Sequence, residues 1–189
     1  EVDALYRLAA AGVRVPTPYN FHEGVLLMEL VADAEGNAAP RLNDVSLSEE
    51  EALAHHRTLI REVVRMLCAG VVHGDLSEFN ILIDSDGPVI IDLPQAVDAA
   101  GNNHAQAMLA RDVNNLRGYF GQFAPALLAT QYAEEIWALY EHGNLHPETE
   151  LTGRYECTLP EVDLEGVMRE IDDARDEEAA RQLRLQALE

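Results

Sequence analysis

A chain of 189 residues, nearly half of them apolar, carries enough material for one large or two small domains with a substantial core. Its net charge of −21 comes from 34 acidic residues against 13 arginines, with no lysine, which excludes direct electrostatic binding to nucleic acid or an anionic membrane unless arginines cluster locally. Cys68 and Cys157 are too few for a disulfide scaffold, and neither a signal-peptide pattern nor a twenty-residue apolar run is present, so a cytoplasmic protein with reduced thiols is expected.

Glu1 to Ala11 reads as a helix with Leu5 and Leu8 on one face and Gly12 as its stop. Val15-Pro16-Thr17-Pro18 forces an extended connection, Gly24 to Val31 is an apolar strand, and Ala32 to Asp44 is a loop. Ser48-Glu49-Glu50-Glu51 is a capping box that opens a helix of about twenty residues ending at Gly70. Leu53, Leu59, Ile60, Val63, Val64 and Leu67 give it a broad apolar face. His55 and His56 lie within it without a Cys or acidic partner at ligand spacing, so they read as packing or surface residues.

The stretch from Val71 to Asp98 is the most informative. Two apolar runs, Asn80 to Ile83 and Val89 to Ile91, flank Asp84-Ser85-Asp86-Gly87, the composition of a tight turn between antiparallel strands. His73, Asp75 and Asn80 fit the spacing H-x-D-x-x-x-x-N, and Asp92 closes a β-branched run as the D-F-G aspartate does in protein kinases. Phosphoryl transfer needs oxygen ligands for magnesium and an acceptor for the nucleophile's proton. Asp75 suits the second task, and Asn80 and Asp92 suit the first. Each residue taken alone is an ordinary turn former or strand-end cap. The coincidence of spacing, hairpin and I-I-D favours a phosphotransferase site.

Gln95 to Asn103 reads as a polar loop, and His104 to Phe120 as a helix through Met108, Val113 and Leu116. Asp112 within it has two readings: a buried acceptor that orients the catalytic loop, or half of a solvated Arg111-Asp112 pair. Ala124 to His142 is expected as one amphipathic helix, with Leu128, Tyr132, Ile136, Leu139 and Tyr140 inward, Trp137 in the core and Gly143 as its stop. Residues 144–160 read as a linker. Residues 161–189 read as a charged helix, with Glu165/Arg169 and Glu177/Arg181 at i,i+4 spacing.

The segments V-V-H-G-D-L-S-E-F-N-I-L-I and I-I-D-L-P-Q-A-V-D resemble the RIO family of atypical serine/threonine protein kinases. The likeness extends to A-G-V-R-V-P-T-P, L-L-M-E-L-V, A-A-P-R-L-N-D-V and R-D-V-N-N-L, so it covers about residues 1–120. It implies an α+β, protein-kinase-like fold: a partial N-lobe over 1–31, with the end of helix C and the hinge strand, and a mainly helical C-lobe over 32–143 that carries the catalytic hairpin. By the same likeness Asp75 is the catalytic base and Asn80 and Asp92 complete the catalytic set by binding Mg2+. Met28, Glu29 and Val31 line the ATP pocket and hinge, and Glu1 stands for the helix-C glutamate.

The resemblance implies transfer of the γ-phosphoryl of Mg-ATP to a Ser or Thr hydroxyl, or to water, with the protein or small-molecule acceptor left open. The family's phosphate-covering loop and strand lysine are missing, as expected of a fragment of a longer kinase or of a truncated protein. Two other readings stand beside this one. A small-molecule phosphotransferase of the aminoglycoside type shares H-G-D-L, but Ser77-Glu78 replaces the His-Pro pair usual in that group. A non-catalytic, nucleotide-gated scaffold or assembly factor would keep the fold without the reaction.

Overall fold

The computed structural model describes residues 1–155. The charged helix expected over 161–189 and Cys157 lie outside them. The architecture is α+β: four helices and three small two-stranded antiparallel sheets among the described residues.

Helix α1 (Val2–Ala10) buries Leu5 and Leu8 and is followed by Gly12 at φ +73°, where glycine avoids the steric cost of a side chain. Strands β1 (Pro18–His22) and β2 (Val25–Met28) then form a hairpin. Its two turn residues, Glu23 and Gly24, both have positive φ, the conformation that matches the twist of paired strands. This corrects the expected strand from Gly24 to Val31, which is only four residues long. Val25, Leu27 and Met28 are exposed rather than core, because the tight turn spends the strand on pairing with β1 and only Leu26 reaches the main cluster.

The capping box at Ser48 forms in full. Its hydroxyl accepts from the Glu51 N–H at 3.2 Å, and the Glu51 carboxylate accepts from the Ser48 N–H at 2.8 Å. Helix α2 (Glu49–Cys68) buries Leu59, Ile60, Val63, Val64 and Leu67 at the centre of the core. It leads into β3 (Val71–Val72), which pairs with β6 (Val97–Asp98) inside the expected loop from Gln95 to Asn103. Two residues are too few for an alternating pattern to declare a strand. Between them, β4 (Ile81–Asp84) and β5 (Gly87–Ile90) make the expected hairpin, with the Asp84 carboxylate accepting the Asp86 N–H at 2.8 Å across the turn.

Helix α3 (Ala105–Phe120) follows, and the helix expected from Ala124 to His142 is in fact two pieces. A 3-10 turn spans Pro125–Ala129, Thr130 is extended with its hydroxyl donating to the Leu127 carbonyl at 2.7 Å, and α4 runs Tyr132–Glu141. Proline fits the first turn of a short helix, and the tighter 3-10 winding turns Leu128, expected inward, out to solvent. Trp137 is half-buried against Tyr140. Residues 144–155, expected within a linker, are bound to the helices: Arg65 pairs with Glu148 at 3.0 Å, and the Gln131 N–H donates to the Gly153 carbonyl at 2.8 Å. No described helix is long and apolar enough to cross a membrane.

His56 is buried between the rings of Phe120 and Tyr132, and its Nε2 has no partner among the described residues. Burial pushes its pKa down to about 4. As pH falls below about 6.5 the unfolded chain protonates this residue while the folded chain resists, so stability is lost down to about pH 4. Relative to wild type, His56→Phe should remove a stability loss on the order of 3 kcal/mol across that window, read from urea melts between pH 4 and 7.

Candidate active site

The loop from His73 to Asn80 joins β3 to β4, and the N–H and C=O groups of Gly74, Asp75 and Leu76 within it each have a hydrogen-bond partner. His73 is buried. Its Nδ1 accepts the Asp75 N–H at 3.3 Å and its Nε2 meets the Ile91 carbonyl at 3.1 Å, which assigns the ring proton to Nε2. Burial lowers its pKa, opposed by the Ile91 carbonyl and by the charges of Asp75 and Asp92, so the ring is neutral as this tautomer requires. His73 therefore ties the loop to the end of the β4–β5 hairpin.

Gly74 sits at φ +81°, and a Cβ there would lie 2.4 Å from the Met108 Cε and 2.8 Å from the Gln95 carbonyl oxygen. Only glycine fits.

Helix α3 grips the loop from below. The buried Asp112 accepts the Gly74 N–H at 2.8 Å through Oδ2 and the Leu76 N–H at 3.0 Å through Oδ1. Arg111 donates to the Gly74 carbonyl, and the Asn115 amide donates to the Leu76 carbonyl at 3.1 Å. Of the two readings of Asp112, the buried orienting acceptor is the one realised. Burial raises its carboxyl to about 6, against the lowering effect of the two N–H groups and Arg111. With residues 74 and 76 held on both N–H and C=O, Asp75 between them is exposed.

Asn80 ends a 3-10 turn (Glu78–Asn80) rather than starting the strand. Its amide N–H donates to the Asp75 carbonyl at 2.9 Å, which leaves its side-chain oxygen without a protein partner among the described residues. The Asn80 carbonyl accepts the Ile91 N–H at 3.0 Å, carrying the chain to Asp92. Asp92 is exposed at φ +67°; Glu23 is the other non-glycine residue with positive φ among those described. A strained non-glycine residue at the end of a strand is a common mark of a functional site.

Met28 and Asp92 line one cavity, together with Glu1, Leu26 and Ile91. Glu29 and Val31 are not part of its lining. The Glu29 carboxylate is occupied by the Thr17 hydroxyl at 2.7 Å and the Thr17 N–H at 2.9 Å, which hold it below the usual carboxylate range. Its N–H donates to the Thr17 carbonyl, and the Val31 carbonyl accepts from Ala39. The Glu29 carbonyl and the Val31 N–H make no hydrogen bond among the described residues.

Sequence reasoning missed Arg14. Its guanidinium reaches both oxygens of Asp84 at 2.7 and 2.8 Å, its N–H is accepted by the buried Glu62 at 2.9 Å, and its carbonyl accepts the Ile90 N–H at 2.8 Å. This residue fastens the hairpin to the segment before β1. No local signal marks it, since its partners lie 48 and 70 residues away.

The arrangement compares directly with known proteins. The family model described as RIO domain matches residues 1–134. The RIO-type serine/threonine-protein kinase Rio1 of Haloferax volcanii is 41% identical over 117 residues, 61% of this chain and 39% of that protein. Rio2 of Methanocaldococcus jannaschii is 40% identical over 114 residues, 59% of this chain and 40% of its own length. The human serine/threonine-protein kinase RIO1 is 33% identical over 132 residues, 69% and 23% respectively. The chain thus spans no more than two fifths of these curated relatives. Because the family match runs from α1 through the catalytic loop and hairpin into the start of α4, this chain belongs to the RIO domain family.

Proposed function

We propose that the protein carrying this chain is a RIO-type serine/threonine kinase or ATPase, in which residues 1–31, with α1 and the β1–β2 hairpin, belong to a partial N-lobe and residues 32–143 to the C-lobe. The observation that carries this reading is the loop held by Asp112, Arg111 and Asn115, which leaves Asp75 exposed with its carbonyl bound by the Asn80 amide, while His73 ties the loop to Ile91, the neighbour of Asp92. Asp75 accepts the proton of an attacking Ser or Thr hydroxyl, or of water, as that oxygen bonds to the γ-phosphorus of ATP and the bond to the departing ADP oxygen breaks.

The donor set fits magnesium. Among the described residues no three His, Cys, Asp or Glu side chains converge as a self-sufficient metal cage. One amide oxygen from Asn80 and the Asp92 carboxylate are what a hard cation shared with substrate phosphates requires. Mg2+ bound there would supply charge neutralisation for the phosphates. Met28 lies on the shared cavity, and the free Glu29 carbonyl and Val31 N–H offer the acceptor and donor that an adenine edge would use. The acidic surface supports a cytoplasmic protein with no direct hold on nucleic acid or membrane, acting on a protein or small-molecule acceptor.

Titration calorimetry with Mg-ATP tests the site, using the protein and its Asp92→Gly form. Glycine accepts the positive φ, so the backbone is preserved while the carboxylate is lost. Binding that depends on magnesium and weakens in the variant is expected. Equal binding by both forms, or no magnesium-dependent binding by the intact protein, would remove Asp92 from the site.

A further inference from the structure

A second cavity, of about 470 Å3, lies between α2 and residues 147–151, away from the catalytic loop. Its size is that of a ligand or side-chain binding site. Ile60 and Val64, almost fully buried, lie beneath it, Leu151 stands on the wall across from α2, and Arg57 and Arg61 line the α2 side.

Arg57, Arg61 and Arg65 stand at successive i,i+4 positions of α2, so three guanidiniums share one side of the helix. Arg65 is neutralised by Glu62 at 2.9 Å and Glu148 at 3.0 Å. Arg57 and Arg61 are exposed and make neither an ion pair nor a side-chain hydrogen bond among the described residues. Like charges at this spacing destabilise a helix, and no described contact relieves that repulsion. Glu150 on the lining is one opposing charge, while Glu148 is already engaged by Arg65. The groove therefore presents two exposed arginines that no described residue neutralises, in a chain whose net charge is −21.

We propose that this groove binds an extended acidic segment of a partner protein, with carboxylates on Arg57 and Arg61 and the intervening apolar side chains against Leu151. The spacing agrees. Same-side residues of an extended chain repeat every 6.6 Å or so, close to the roughly 5–6 Å between side chains at i and i+4 of a helix. Successive side chains of an extended segment point to opposite faces, so the acidic residues face the arginines on α2 while the intervening apolar ones face Leu151 across the groove. None of these lining residues belongs to the catalytic loop, so the proposal stands apart from the phosphotransfer reading.

Fluorescence anisotropy of a labelled Glu-Leu-Glu-Leu-Glu peptide, titrated with the full 189-residue chain at near-physiological salt, tests the proposal. Saturable binding is expected, weakened about tenfold or more by the double change Arg57→Glu and Arg61→Glu. Leu151→Asp, which leaves both arginines in place, should weaken it as well. Circular dichroism confirms that each variant is folded. Absence of saturable binding, or equal affinity for both charge forms, overturns the proposal. Displacement of the peptide by an equal concentration of acetate overturns it in favour of a small-anion site.

Discussion

Asp75→Asn in the intact protein should lower phosphoryl transfer by about 10²–10⁴-fold, the usual contribution of a positioned general base. The change is isosteric and the side chain is exposed, with no hydrogen bond to any described residue. Its backbone N–H still donates to His73 and its carbonyl still accepts from Asn80, so the loop geometry survives. Stability should therefore move by no more than about 0.5 kcal/mol, and Mg-ATP affinity should persist. Single-turnover transfer assays alongside thermal melts separate these effects. Full transfer activity in the variant would show that Asp75 is not the base, and normal cellular performance without transfer would favour the scaffold reading.

The largest structural loss is expected from Asp112→Ala. It leaves the N–H groups of Gly74 and Leu76 buried without an acceptor, at about 1–3 kcal/mol each. A total of about 2–6 kcal/mol is a large part of the stability of an ordinary domain. Asp112→Asn is not a mild alternative, because its amide NH2 would face an N–H donor in place of an acceptor. The same residue gives a pH signature. Its folded pKa of about 6 lies above the unfolded value of 3.8, so the folded state holds the proton longer and stability falls as pH rises between them. Both oxygens are free to accept only in the carboxylate form, so the loop is held best above about pH 6 and transfer should rise through that pH. Asp112→Asn should abolish this part of the stability profile. Urea melts of wild type and variant across pH 4–7 measure it, and a profile unchanged by the substitution would contradict the assignment.

Much of the placement was legible because the residues of the proposed site lie largely on one contiguous segment. The spacing of His73, Asp75 and Asn80, the turn at Asp84 to Gly87 and the capping box at Ser48 are all local features, and each forms where its residues stand. Long-range features were not legible. The Arg14–Asp84 contact and the pairing of β3 with β6 connect positions whose neighbours in sequence give no sign of the partner. Asp112 carried two readings until its burial was known. The break after Ala129 was hidden because Pro125 suits a helix start and the apolar spacing continues across Thr130. The apolar run of β2 gave its local conformation but not what would cover it.

The exposed β1–β2 hairpin has a practical consequence for handling this chain. Tyr19, Phe21, Val25, Leu27 and Met28 present adhesive surface on a short, two-edged ribbon, a geometry prone to edge-to-edge association. At neutral pH mutual repulsion between chains of net charge −21 opposes that contact. Near the isoelectric point of about 4.5 the repulsion vanishes while the ribbon remains, so solubility should collapse there and recover on return to alkaline buffer. Colloidal behaviour is thereby governed by the carboxylates of the whole surface rather than by the ribbon itself.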